Sequence, residues 1–206
     1  MNRPAVKAAG GVDGLTIERL TGVDAASVVE PLLREYVPWV AEQVAELGVT
    51  FDDTAAVVEQ HQALFRAELP NLVGPHRRLL VARRTARLTA RRTVRRTAAG
   101  PGEVVGLGAL RPVDATTAEI KRMYVRPAGR GRGVGRALLE RLLVDARSEG
   151  YSVARLETLA FMTAAEGLYR SLGFRDIAMF DDSETALSGL EAFTHYLELD
   201  LSSPAA

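Results

Sequence analysis

The chain has 206 residues, 47% of them hydrophobic and 25% charged, proportions that suit a single soluble domain with one well-buried core. Its 26 basic residues balance 26 acidic ones, so overall charge offers no reason to expect nucleic acid or an anionic membrane as partner. Cysteine is absent, which excludes disulfides, thiolate metal sites and any cysteine acyl-enzyme.

Residues 1–13 read as a disordered leader without the apolar centre of a signal peptide, and 202–206 as a short tail. No segment approaches the roughly 20 apolar residues that cross a bilayer, so a cytoplasmic location without membrane attachment is expected. Leu15 to Thr21 alternates as a half-buried strand does, and Asp24 stands as an N-cap before a long apolar-periodic helix ending at Gly48. Pro38 marks a point where that helix can kink or divide. A second helix is expected from Asp53 to about Leu69, stopped by Pro70 and Asn71. Strands follow at Arg77–Arg83, Glu103–Val113 and Thr117–Arg126, then a helix from Gly133 to Glu149 capped by Gly150. Val153–Leu159 is a strand, Met162–Leu172 a helix capped by Gly173, and Phe174–Phe180 and Phe193–Leu201 are the last two strands.

The segment at about 82–100 is an insertion rich in arginine and threonine, reading ARRT, ARLT, ARRT, VRRT. It admits two readings: a basic arm for nucleic acid or an acidic partner, and a solvated hairpin. No aromatic residue interleaves the arginines to stack on bases, which favours the second.

Arg130-Gly131-Arg132-Gly133-Val134-Gly135-Arg136 lies between a strand and a helix. Glycines allow backbone N–H groups to converge on an anion, and the helix N-terminus adds unpaired donors, so the place suits a diphosphate. The dinucleotide spacing G-x-G-x-x-G fails in every register, ending on Arg136 or Leu138, and no Gly-Lys pair exists to make a P-loop. The spacing present is R-x-x-G-x-G, at Arg130, Gly133 and Gly135. It resembles the coenzyme A signature of the GCN5-related N-acetyltransferase (GNAT) superfamily. Glu119, Lys121, Arg122, Tyr124, Val125 and Pro127 are similar to the E-x-K-R-x-Y-V-x-P of small bacterial members, and Leu168-Tyr169 with Gly173-Phe174 to L-Y-x-x-x-G-F.

The resemblance implies an α/β (α+β) fold over residues 15–201: one mixed, mostly antiparallel sheet of about seven strands, splayed between the fourth and fifth, with about four helices. It implies an acetyl-CoA-dependent N-acetyltransferase that moves the acetyl group directly to a small-molecule or peptide amine in a ternary complex, without a metal. Arg130, Gly131, Arg132, Gly133, Val134, Gly135 and Arg136 are then the diphosphate cradle. Met123, Tyr124 and Val125 are the strand along which pantetheine is held, the main chains of Met123 and Val125 making the bonds as if a β-strand were added. Tyr169 is implied as the proton donor to the coenzyme A thiolate, and the backbone amide of Val125 lies near the oxyanion. Glu119 is the first candidate for the base, with Glu157 and His195 behind it. Tyr36, Trp39, His61 and Phe65 are candidate walls of the acceptor pocket. Met162 departs from the asparagine that many members use toward pantetheine; Thr163 is the nearest polar replacement, and the contact is either lost or taken over by Thr158 or water. A homodimer is compatible with the family. The reading of another class is an acyl-CoA-binding protein, or a nucleic-acid binder acting through the arginine repeat, with no catalysis.

Overall fold

Strand residues that alternate in burial must serve two faces, and the sheet of this protein is apolar on both. The computed structural model describes residues 6–7, 14–22, 25–49, 53–74, 76–85 and 102–202. Its elements in chain order are β1 (Val6–Lys7), β2 (Leu15–Leu20), α1 (Ala25–Glu46), α2 (Thr54–Leu72), β3 (Arg78–Arg84), β4 (Glu103–Pro112), β5 (Thr117–Val125), α3 (Val134–Ser148), β6 (Val153–Leu159), α4 (Thr163–Ser171), β7 (Arg175–Asp176), α5 (Glu184–Leu187) and β8 (Thr194–Asp200). The eight strands form one sheet in the order β1-β2-β3-β4-β5-β6-β8-β7. Among the described residues β5 and β6 are the parallel pair, and the other ladders are antiparallel. No helix among them is long and apolar enough to cross a membrane.

Leu80, Ala82 and Val105 face α3, where Leu138, Leu139 and Leu142 are fully buried. Leu79, Val81, Leu107 and Ala109 face the opposite layer, made by Val29, Leu32 and Leu33 of α1 and Phe65, Leu69 and Leu72 of α2. β3 therefore splits its side chains between the layers with period two. Each fully buried leucine contributes about 1.5–3 kcal/mol relative to exposure, so burial holds the helices to the sheet.

The expected elements appear with five differences, one of them the short helix α5 at Glu184–Leu187, where no element is expected. α1 runs unbroken through Pro31 and Pro38. The two prolines are seven residues apart and share the face opposite the buried line of Val29, Leu32, Leu33 and Val44, so the lost hydrogen bonds fall where water replaces them. α2 begins where expected, with Asp53 Oδ1 accepting from the Ala56 amide at 2.9 Å. It continues past Pro70 and Asn71 to Leu72, whose side chain is completely buried in the core. The expected strand Phe174–Phe180 shrinks to Arg175–Asp176, because the chain beyond turns off the sheet: Phe180 packs edge-on against Tyr196, with ring centroids 5.4 Å apart, and its ring lies 3.8 Å from the Arg155 guanidinium. The fourth difference is β1, whose two residues pair with Thr16 and Ile17 inside the segment read as a leader. Of the arginine repeat, residues 86–97 lie outside the described residues, as does Asp24.

Candidate active site

Two irregularities in β5 open the sheet. β5 and β6 pair at Thr117, Ala118 and Glu119 and then separate. On the other side of β5 the register against β4 slips, so that Leu107 faces Tyr124 while Ala109 faces Lys121. Three steps on β5 oppose two on β4, a bulge, and Arg122 takes it up at φ 58°, in the left-handed region where non-glycine residues are strained. Gly108 lies opposite: a Cβ there would meet Met123 Sδ at 2.6 Å and Leu142 Cδ1 at 3.1 Å. Past the bulge, Arg126 N donates to Val105 O at 2.9 Å. By the alternation of an antiparallel ladder, the Val125 N–H then turns away from β4 toward the gap.

The glycine loop stands at the head of this gap. Pro127–Gly129 forms one 3-10 turn, Gly131 and Gly133 take φ of 68° and 76°, and Gly133 caps α3. The first backbone bond of α3 runs from Ala137 N to Gly133 O at 3.0 Å, leaving the earlier amides of that turn without intrahelical acceptors. A Cβ on Gly131 would meet nothing within 4 Å, so the loop is open on that side, whereas one on Gly135 would touch Leu168 Cδ2 at 3.4 Å and Val125 Cγ2 at 3.7 Å. The residues fit a diphosphate at an exposed helix start with an apolar tail running down between β5 and α4. Arg132 and Arg136 are exposed, and Arg136 bonds Ser171 Oγ at 2.7 Å. Arg130 is exposed as well and folds back over the strand: its Nε donates to Val125 O at 3.0 Å, and its guanidinium lies 5.0 Å from the Trp39 ring centre and 6.0 Å from that of Tyr124.

Below the gap is a cavity of about 850 Å³ between α1, α2, β5, β6 and the 184–190 segment. Tyr169 from α4 lines it, 5% exposed, with its ring 5.8 Å from Phe174. Burial pushes its phenol far above the ordinary value, and Tyr36 nearby adds to the effect. Burial also raises Tyr36. Both hydroxyls are therefore proton donors at any working pH. Tyr36, His61 and Phe65 line the cavity as expected. Trp39 is not among its walls and packs on Phe161 and Tyr36, with ring centres 5.8 and 6.3 Å away. Met162 lines the cavity with Thr158, whose Oγ1 points at its Sδ across 3.8 Å.

The carboxylates sort themselves by partner. Glu119 is 0% exposed and is claimed by three cations: Arg111 at 2.7 Å, Lys121 at 3.2 Å and Arg155 at 3.3 Å. Such a group organises cations around itself and has little freedom to serve as a base. Glu184 takes Lys121 at 2.6 Å and Arg122 at 2.9 Å, while Arg122 also pairs with Glu68 at 2.7 Å and lies 5.2 Å from the Phe65 ring centre. Burial opposes ionisation of Glu184, but Arg122 and Lys121 outweigh it and hold the carboxyl below its usual range. Glu157 is different. Its Oε2 accepts from Ser183 Oγ at 2.6 Å and Thr185 Oγ1 at 2.9 Å, and its Oε1 from Glu184 N at 3.1 Å. Among the described residues no cation pairs with it. His195 is held by Glu166 at 3.1 Å and is not a wall of the cavity.

From the sequence Glu119, at the start of the splayed strand, ranks above Glu157 on the next strand. Their difference lies in long-range partners, Ser183 and Thr185 against Arg111 and Arg155, and no local pattern encodes it.

A splayed parallel pair, a bulge beside it and an open glycine loop at a helix start make a cleft for a long ligand with an anionic end. The sequence model of the acetyltransferase (GNAT) family matches residues 58–174, more than half of the chain. The chain belongs to the GNAT acetyltransferase family. The IAA acetyltransferase of Azospirillum brasilense is 38% identical to it over 114 residues, covering 55% of this chain and 64% of that protein. The chain spans less than two thirds of the length of the first curated relatives it matches. A GCN5-related N-acetyltransferase from Kribbella flavida superposes with a TM-score of 0.57 at 24% identity, over 91% of this chain and 98% of that one. YncA of Salmonella typhimurium, solved with its cofactor acetyl-CoA, gives 0.56 at 22%, over 94% and 98%. At these identities the structural likeness establishes the GNAT fold.

Proposed function

We propose that the protein is an acetyl-CoA-dependent N-acetyltransferase. The observation that carries this reading is the junction of the splayed cleft, headed by the Gly131–Gly135 loop, with a cavity lined by the buried, protonated Tyr169. The amides at the start of α3, with Arg130, Arg132 and Arg136, hold the diphosphate of the donor. Met123, Tyr124 and Val125 give it a strand edge. Acetyl-CoA supplies the activated acyl group as a thioester.

The chain's own residues then manage two protons and one developing charge. A primary amine, with a pKa near 10, arrives mostly as ammonium and must lose a proton before it attacks. Glu157 takes that proton, since it lines the cavity and has lone pairs not committed to a cation. The Val125 N–H, directed into the gap, faces the oxyanion. As the carbon–sulfur bond breaks, Tyr169 gives its proton to the thiolate, and the second proton that the nitrogen sheds on becoming an amide restores the phenol. Glu119 holds Arg111, Lys121 and Arg155 in place at the point of splay and acts on positioning.

The experiment is a calorimetric titration with acetyl-CoA followed by a thiol-release assay with a panel of amines. Binding that is saturable and is lost in Gly135→Leu, together with amine-dependent thiol release, supports the reading. A folded protein that takes up no acetyl-CoA sinks it.

A further inference from the structure

We infer that the acceptor is a small primary amine with an apolar body and no carboxylate. The inference rests on reading the 850 Å³ cavity as the acceptor site. The two permanently charged cations that line this cavity, Lys121 and Arg122, are already neutralised within the protein. Lys121 is shared by Glu119 and Glu184, and Arg122 by Glu68 and Glu184. An amino acid would therefore bring a carboxylate into a partly buried space whose lysine and arginine are already paired.

The anionic side is unbalanced the other way. Glu157 is satisfied by hydroxyls and backbone amides, and among the described residues no lysine, arginine or histidine forms an ion pair with it. A carboxylate held by neutral donors stays a fixed receptor for one incoming cation. The ammonium of the acceptor is that cation, and the same contact puts its proton where Glu157 can remove it. Much of the remaining wall is apolar. Tyr36, Val40, Val44 and Phe65 come from the two helices, and Leu159 and Leu190 join them, beside the polar Gln60, His61, Thr158 and Ser188. The cavity thus asks for one positive charge at the Glu157 end and hydrocarbon beyond it. A polyamine with several charges meets no second unpaired carboxylate.

The test is kcat/KM, from thiol release with saturating acetyl-CoA, for matched pairs: 2-phenylethylamine against phenylalanine, and isopentylamine against leucine, with ethanolamine and spermidine alongside. The amine of each pair is expected to exceed its amino acid by roughly 10- to 100-fold, the scale set by burying an unpaired polar or charged group. It should also exceed ethanolamine and spermidine. Glu184→Gln removes a counter-ion from both Lys121 and Arg122, so it should narrow the gap within each pair by favouring the amino acid. Glu157→Gln should lose turnover with every amine while acetyl-CoA affinity, read by calorimetry, stays near the parent value. Equal or better turnover of the amino acids, or a ratio unmoved by Glu184→Gln, overturns the inference. So does a panel that is wholly inactive in a protein that binds acetyl-CoA, and the acetyltransferase reading then stands without it. If acetyl-CoA does not bind, both fall.

Discussion

Tyr169 shows how one side chain's surroundings assign its role. Buried against Phe174 and beside Tyr36, its phenol is raised far above the ordinary value near 10, so it remains an acid through the whole alkaline range. Tyr169→Phe is expected to lower kcat by about 100-fold or more, the usual scale for a lost general acid, while acetyl-CoA affinity is kept. Because the folded pKa exceeds the unfolded one, the stability that Tyr169 contributes is complete below about pH 10 and is lost as pH rises beyond that value. Alkaline unfolding followed by circular dichroism should be shallower in Tyr169→Phe than in the parent. Arg130 gives a second readout at this scale. Its guanidinium lies on Trp39, the single tryptophan of the chain, and its Nε occupies the Val125 carbonyl that a pantetheine amide needs. Acetyl-CoA should draw Arg130 toward the diphosphate and change Trp39 emission on titration. In Arg130→Ala the change should vanish and the affinity fall. An emission unaltered at saturation in the parent protein contradicts this movement.

Among the elements, the segment from Ile177 to Phe193 roofs the cavity and is held by ions from the sheet beneath. Asp182 pairs with Arg111 at 3.0 Å and with Arg155, and Glu184 with Lys121 and Arg122. Burial resists ionisation of Asp182, and Arg155 and Arg111 overcome it, so its carboxyl sits below the ordinary range as that of Glu184 does. Carboxylates depressed in this way contribute stability above their unfolded values and lose it as pH falls through them, which places loosening of the roof at about pH 4 and below. Hydrogen exchange of amides 181–190 should quicken there, and in Asp182→Ala at neutral pH. Asp182 is 48% exposed, so global stability in Asp182→Ala should change by less than about 1 kcal/mol. Unchanged exchange in that variant would show that the roof is held by packing of Phe180 and Leu190 alone. At this same scale Pro38 and Pro70 mislead a reading of local pattern. Each removes one hydrogen bond, and the buried faces of α1 and α2 outweigh the loss.

For the whole molecule, the proposed donor site joins β5, α3 and α4, elements that share the core around Leu138, Leu142 and Tyr169. Occupying it should therefore stabilise the fold as a unit. Acetyl-CoA at 100 times its dissociation constant contributes about 2.7 kcal/mol, a rise of roughly 5–10 °C in Tm for a chain of this size. Gly135→Leu, which crowds Leu168 and Val125, should abolish the shift while leaving a cooperative transition in differential scanning calorimetry. A full shift retained in that variant would place the donor elsewhere.

Strand and helix order, the glycine loop at the start of α3 and Tyr169 on α4 were legible in the amino-acid sequence, because period-two and period-3.6 alternation, capping residues and left-handed glycines act over a few neighbours. The cleft was legible only by likeness to a family: nothing local in Thr117–Val125 says that pairing with β6 stops after Glu119, or that Arg122 carries a bulge against Gly108. The ranking of the two glutamates depended wholly on the tertiary structure. A carboxylate's chemistry is set by the charges within a few ångströms, and for Glu119 and Glu157 these arrive from residues up to 36 positions away in the chain. The sequence by itself determined the order of strands and helices and the glycine loop at the start of α3. The folded chain decided which carboxylate lines the cavity without a counter-ion among the described residues, because only folding brings Arg111 and Arg155 to one glutamate and leaves the other with hydroxyls and backbone amides.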